Sequence, residues 1–187
     1  MGGSASFPKI GLGTALIKDN SGINIVYQSI KDGVRLIDVM PYNEESVGFG
    51  INNAIRDRIV KREDLFIIAK LELDKKEDPE LAIMNSLQKL QLTYIDLYLD
   101  EWPSCPIFKE SKQNRLIPVK ETWSKMERLV DSGLTKYIGL SNYNVENIFN
   151  VLSICKIKPF AIEVEFNPYL YQEDLKEFCD KEKIKLY

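Results

Sequence analysis

The stretch Leu65-Phe66-Ile67-Ile68-Ala69-Lys70-Leu71, followed by Asp78-Pro79 and then by Ile95-Asp96-Leu97-Tyr98-Leu99, decides how this chain folds. Its first run is apolar almost without interruption and has the length of one strand, the pattern of a strand covered on both faces. Between the two runs lies the clearest helix start in the sequence. Asp78 can cap it, Pro79 suits its first turn, and Leu81, Met84, Leu87 and Leu90 supply an apolar stripe.

Outward from this stretch the alternation of strand and helix repeats. Toward the N-terminus, Ile10–Thr14 and Val34–Val39 read as strands. Asn20-Ser21 opens a helix that stops at Gly33, and Glu44–Arg56 forms the next. Toward the C-terminus the expected strands are Tyr137–Leu140, Phe160–Phe166 and the start of another at Ile184–Tyr187. The helices are Val119–Val130, closed by Ser132-Gly133, then Val145–Ile154 and Leu175–Lys183, and residues 103–117 read as a long loop. Seven apolar strands separated by amphipathic helices indicate a parallel sheet covered by helices. An open doubly wound sheet is the alternative. Against its dinucleotide-binding version, the chain lacks a Gly-x-Gly-x-x-Gly run, and Gly11-Leu12-Gly13-Thr14 has only the first half. In Phe160–Phe166, Phe160, Ile162, Val164 and Phe166 share one face expected to meet helices. Ala161, Glu163 and Glu165 share the other, which must be polar, because an unpaired charge is costly to bury.

The 187 residues suffice for a single domain, 1–187, with a substantial core. Apolar residues make up 44% and charged residues 28%, as in a soluble globular chain. A net charge of -3 gives no electrostatic reason to expect nucleic acid or an anionic membrane as partner. No apolar run is long enough to span a bilayer. Cys105, Cys155 and Cys179 show no metal-like spacing, and the chain has no histidine, so no metal site is expected. With no signal-like start, these thiols read as the reduced cysteines of a cytoplasmic protein.

The chemistry gathers near strand ends. Lys70 closes an apolar run and needs a partner; Asp38, at the end of an earlier strand, is the natural one. The pair has two readings. It either makes the nearby Tyr42 a better proton donor to a developing alkoxide, or it is a salt bridge closing one end of the sheet. Glu101 ends a third strand. Ser141-Asn142, after Tyr137–Leu140, either hold a polar ligand or lead to a helix cap at Asn144. Trp102 either walls an apolar pocket or lies in the core, and Thr14 either touches a ligand or caps a turn. Lys61-Arg62-Glu63-Asp64 reads as a solvated turn.

Taken with these residues, the chain resembles the aldo-keto reductase family. The matching pieces are Gly11-Leu12-Gly13-Thr14, Arg35-Leu36-Ile37-Asp38, Asn43–Gly48, Val60–Phe66, Ala69-Lys70-Leu71, Leu87–Pro103, Tyr137–Tyr143 and Val164–Leu170, in family order over essentially the whole chain. The resemblance implies a (β/α)8 TIM barrel, here with about seven of its eight strands and incomplete at its C-terminus. It implies an NADPH-dependent oxidoreductase that reduces an aldehyde or ketone without metal. Asp38, Tyr42, Lys70 and Glu101 fall at the catalytic positions. Gly13, Thr14, Asp38, Ser141, Asn142 and Glu163 fall at cofactor-binding ones, with NADP+ as the oxidised form. A monomer is implied, with self-association expected if the barrel stays open.

Four departures from the family pattern stand out. The Asp38-to-Tyr42 spacing is one residue short, which displaces the tyrosine. Glu163 replaces a glutamine. Glu101 replaces the catalytic histidine, as in a branch of the family that reduces enone double bonds, so double-bond reduction through Glu101 is the first alternative. A catalytically impaired relative with a structural or interaction role is the second. Asp100 is acidic where the family is apolar, so a local drift in charge also accounts for Glu101.

Overall fold

A computed structural model describes residues 7–17, 19–103 and 117–187. The loop expected at 103–117, and Cys105 within it, falls outside the described residues except at its ends. The strands are β1 (Gly11–Gly13), β2 (Leu36–Asp38), β3 (Phe66–Leu71), β4 (Ile95–Glu101), β5 (Thr135–Ser141), β6 (Ala161–Glu163) and β7 (Lys185–Leu186). The helices α1 (Ser21–Lys31), α2 (Glu44–Arg56), α3 (Pro79–Leu90), α4 (Val119–Asp131), α5 (Val145–Leu152) and α6 (Glu173–Glu182) alternate with them. The seven strands are parallel and pair in sequence order, β1 through β7, in one sheet. Each of β1 to β6 is followed by a helix and pairs with the next strand, the α/β arrangement of a partial (β/α)8 barrel.

Contacts divide the chain into two compact units. The first comprises the described residues of Met1–Lys70 with Met84–Leu97, and the second those of Leu71–Ile83 with Tyr98–Tyr187. In the first unit, β2 sets Leu36 beside Gly11 on β1 and beside Phe66 on β3, and Asp38 beside Gly13 and Ile68. All six residues of β3 are buried, as its unbroken apolar run requires. Val26, Ile30, Val47, Ile51, Ile67 and Leu90 are fully buried, each side chain contributing about 1.5–3 kcal/mol. Gly48 lets α2 approach α3 closely. A Cβ at this position would stand 2.7 Å from the Leu90 carbonyl oxygen, which Asn52 Nδ2 also reaches at 2.9 Å. Gly33 ends α1 with φ +102°, a conformation open to residues without a Cβ.

In the second unit, Leu140 and Ser141 of β5 pair with Ile162 and Glu163 of β6, and Ile162 pairs in turn with Leu186 of β7. Trp123 and Met126 of α4, Ile138 and Leu140 of β5, and Ile148 and Val151 of α5 are buried. The Trp123 indole donates to the Ile157 carbonyl at 3.1 Å. The Glu127 carboxylate accepts the backbone N–H groups of Lys156 and Ile157 at 2.6 and 2.9 Å. Two expected caps are present: Asp78 accepts the N–H of Leu81, and Asn144 that of Asn147.

Several expectations change. The buried stripe of α3 is Ile83, Leu87 and Leu90, while Leu81 is 55% exposed and Met84 53%; choosing 81 and 84 rotated the apolar face by part of a turn. At α1 the carboxylate of Asp19, not Asn20, accepts the Ser21 N–H. Strand β6 stops at Glu163, so the alternation expected through Phe166 breaks. Phe160 stacks on Tyr137, while Phe166 is exposed and meets Tyr171 edge-on. Arg62 is not solvated. It donates to the carbonyls of Leu65 and Tyr94, lies over the Tyr94 ring, and pairs at 2.7 Å with Asp96, whose carboxylate also accepts the Ile67 N–H.

Candidate functional site

In the first unit the site is built on the ends of β2 and β3. Lys70 is 4% exposed at the end of an apolar strand, and its ammonium is ion-paired with the Asp38 carboxylate, as the sequence requires. The Asp38 carbonyl accepts two bonds from Thr14, one from its N–H at 3.1 Å and one from its hydroxyl at 2.8 Å. Thr14 is wholly buried, so its side chain braces Asp38, while Gly13 lies in register with that residue and is exposed. Asn43 completes the brace. Its amide donates to the carbonyls of Thr14 and Ile17 and accepts the Met40 N–H. The sequence reading gave Asn43 no role. Its place just before a helix marks a cap, yet its side chain makes no capping bond and ties the β1 loop to the β2 loop instead.

Tyr42 lies in the turn that Asn43 stabilises. Its ring is 55% exposed, and its hydroxyl donates to the Ala15 carbonyl. The phenol thus takes part in the hydrogen bonding of the β1 loop.

In the second unit the ends of β4, β5 and β6 are cross-tied. Glu101, the last residue of β4, is half-buried. The N–H of Trp102 donates to the Ser141 carbonyl at 3.0 Å, and that of Asn142 to the Glu163 carbonyl at 2.9 Å. Asn142 Nδ2 lies 3.3 Å from Ser141 Oγ, and Glu163 accepts the Tyr187 hydroxyl at 3.0 Å. Ser141, Asn142 and Glu163 are therefore neighbours. Trp102 is 50% exposed, which removes the core reading of this residue.

A second buried polar cluster escaped the sequence reading. Lys76 pairs with Asp100 at 2.6 Å, and Asp100 accepts the Tyr143 hydroxyl at 2.8 Å. Lys76 also donates to the Trp102 carbonyl. Burial pushes the Asp100 carboxyl upward, while Lys76 and Tyr143 pull it down; the Tyr143 phenol is driven far above its ordinary 10.0 by burial and by Asp100. Tyr143 consequently stays a neutral donor. Asp100 is thus part of a buried, fully engaged network and not a solvated surface acid. Among the described residues no group of three or more Cys, Asp or Glu is placed to hold a metal ion. No helix among them is long and apolar enough to cross a membrane.

The sequence profile of the aldo/keto reductase family matches residues 9–187. The chain belongs to the aldo/keto reductase family. The NADH-dependent D-xylose reductase of Candida parapsilosis is 36% identical, over 96% of this chain and 61% of its own length. Aldo-keto reductase family 1 member A1 of Xenopus tropicalis is 40% identical over 92% of the chain and 57% of that relative. Among solved structures, a Bombyx mori aldo-keto reductase in complex with NADP superposes with a TM-score of 0.88 at 36% identity, covering 96% of this chain and 61% of that one. This aldo/keto reductase chain thus spans less than two thirds of the length of each of these relatives.

Proposed function

We propose that this aldo/keto reductase chain belongs to an NADPH-dependent enzyme that reduces the carbonyl group of a small aldehyde or ketone. The observation that carries the proposal is the buried Lys70–Asp38 pair at the ends of β3 and β2, braced through Thr14 and Asn43. A cation fixed in a largely dry setting favours negative charge developing on a nearby oxygen far more than it would in water. Tyr42 is the proton donor. Its hydroxyl exchanges the Ala15 carbonyl for the substrate oxygen when substrate arrives, and Glu101, at the end of β4, takes the histidine's place in the family pattern.

The residues at the ends of β5 and β6 suit a nicotinamide. Its carboxamide needs both a donor and an acceptor, and Asn142 Nδ2 with the Glu163 carboxylate supplies one of each, with Ser141 Oγ beside them. When bound, the cofactor supplies hydride. Support for NADP(H) comes from the Bombyx mori structure with NADP and from the NADPH-dependent D-xylose reductase of Candida boidinii, 39% identical over 95% of this chain and 61% of that relative. In this proposal the protein is a cytoplasmic monomer.

A second reading has an observation of its own. The Tyr42 hydroxyl is spent on the Ala15 carbonyl, as in a relative that has kept the fold and lost turnover. NADPH titration of the 187-residue chain, followed by aldehyde-dependent loss of NADPH absorbance, separates the two. Saturable binding with turnover that Tyr42→Phe abolishes supports the reductase. Binding without turnover favours the impaired relative, and absence of binding removes the reductase reading for this chain.

A further inference from the structure

We propose that Lys76, Asp100 and Tyr143 form a positioning network that holds the ends of β4 and β5 in the backbone conformation presenting Glu101 and Asn142 to ligand. This inference rests on the reductase reading of those two residues.

Two observations meet at these ends. First, the residues that follow Glu101 and Ser141 both leave their strands in the left-handed region, Trp102 at φ +72° and Asn142 at φ +62°. Residues other than Gly, Asn and Asp rarely adopt it, and an indole does not hydrogen-bond its own backbone as a short amide or carboxylate can. Such conformations persist where surrounding contacts over-determine them, and they gather at binding and catalytic sites. Second, the contacts doing so are on hand. The Trp102 carbonyl accepts the Lys76 ammonium, and the Trp102 N–H donates to the Ser141 carbonyl. Lys76 is in turn ion-paired with Asp100, which accepts the hydroxyl of Tyr143, the residue after Asn142. One buried chain of charge-assisted bonds thereby links the peptide after Glu101 to the side chain after Asn142. All three members are at most 4% exposed. A neutral apolar packing would fill this space without desolvating an ion pair, so the charged version is informative where it grips a backbone carbonyl.

Asp100 and Glu101 are adjacent on β4 and therefore face opposite sides of the sheet. The network acts on Glu101 only through the backbone, and none of its three members is placed to touch substrate. They are positioning residues.

The test uses Tyr143→Phe, which removes one hydroxyl, and the combined variant Lys76→Met, Asp100→Leu and Tyr143→Phe, which exchanges the network for apolar groups of similar volume and leaves no buried hydroxyl without its acceptor. Trp102 reports the geometry directly. It is half exposed, whereas Trp123, the other tryptophan, is buried, so acrylamide quenching of intrinsic fluorescence reads Trp102. The combined variant should melt close to wild type, since apolar replacement of a buried pair with its hydrogen-bond partner is often neutral. Trp102 should nonetheless become about twofold more quenchable in it, and NADPH should bind about tenfold more weakly, as expected for misplaced contacts. Tyr143→Phe should move both readouts the same way by less. Wild-type quenching in both variants overturns the network's role. If the wild-type chain binds no NADPH, the reductase reading falls, while the quenching comparison still decides whether the network sets this backbone.

Discussion

Asp100 and Glu101 stand side by side on β4 and meet different chemistry. One is locked between Lys76 and Tyr143, and the other ends the strand half-buried. An uncharged carboxylic acid at Glu101 can donate to an enone oxygen in a way that an ionised one cannot. Glu101→His is therefore expected to raise ketone reduction and lower enone reduction, measured as a ratio of the two rates with NADPH; an unchanged ratio removes the double-bond alternative. Arg62 offers a sharper energetic prediction. Its partner Asp96 is almost wholly buried and also holds the Ile67 N–H. Arg62→Met removes the guanidinium from this nearly buried pair and should cost about 3–5 kcal/mol in urea unfolding. At this scale the sequence is legible where context forces a partner. A lysine ending Phe66-Ile67-Ile68-Ala69 must be neutralised, and Asp38 neutralises it. Lys76 is illegible for the opposite reason, because it sits in Asp74-Lys75-Lys76-Glu77-Asp78, where nothing in the residue types says which lysine turns inward.

Helix α3 shows how an element can be placed correctly and turned wrongly. Its start at Asp78-Pro79 follows from capping chemistry, whereas its buried face depends on contacts the helix makes later. Ile83→Ala should cost about 2–5 kcal/mol, and Leu81→Ala little, within about 0.5 kcal/mol; thermal or urea unfolding of the pair measures both. Strand β6 was overread because Phe160–Phe166 alternates well beyond the three residues that find a ladder partner. Helix α6 gives a prediction in pH. Cys179 is buried on it, and burial raises its thiol from 9.0 to about 11. A raised value favours the neutral thiol in the fold, so this contribution is intact below pH 9 and is lost as the pH climbs through about 11. Alkylation at pH 8 should label Cys179 much more slowly in the folded chain than in denaturant, because the thiolate is the reacting form.

Across the whole molecule, the alternation of strand and helix was legible because a parallel sheet writes its burial into most of its strands, as β3 does with six buried residues, whereas the strand order rested on the family resemblance. The hydrogen-bonded surroundings of Tyr42 were not legible, since the partner of a turn hydroxyl depends on where another loop's carbonyl points. The sheet has an outer strand at each end of its order, β1 with three residues and β7 with two. On β7 the exposed Lys185 places a charge, its ammonium 4.2 Å from the Phe160 ring. That charge works against association of the chain through β7. Lys185→Val should bring on turbidity and light scattering at concentrations where the parent solution stays clear.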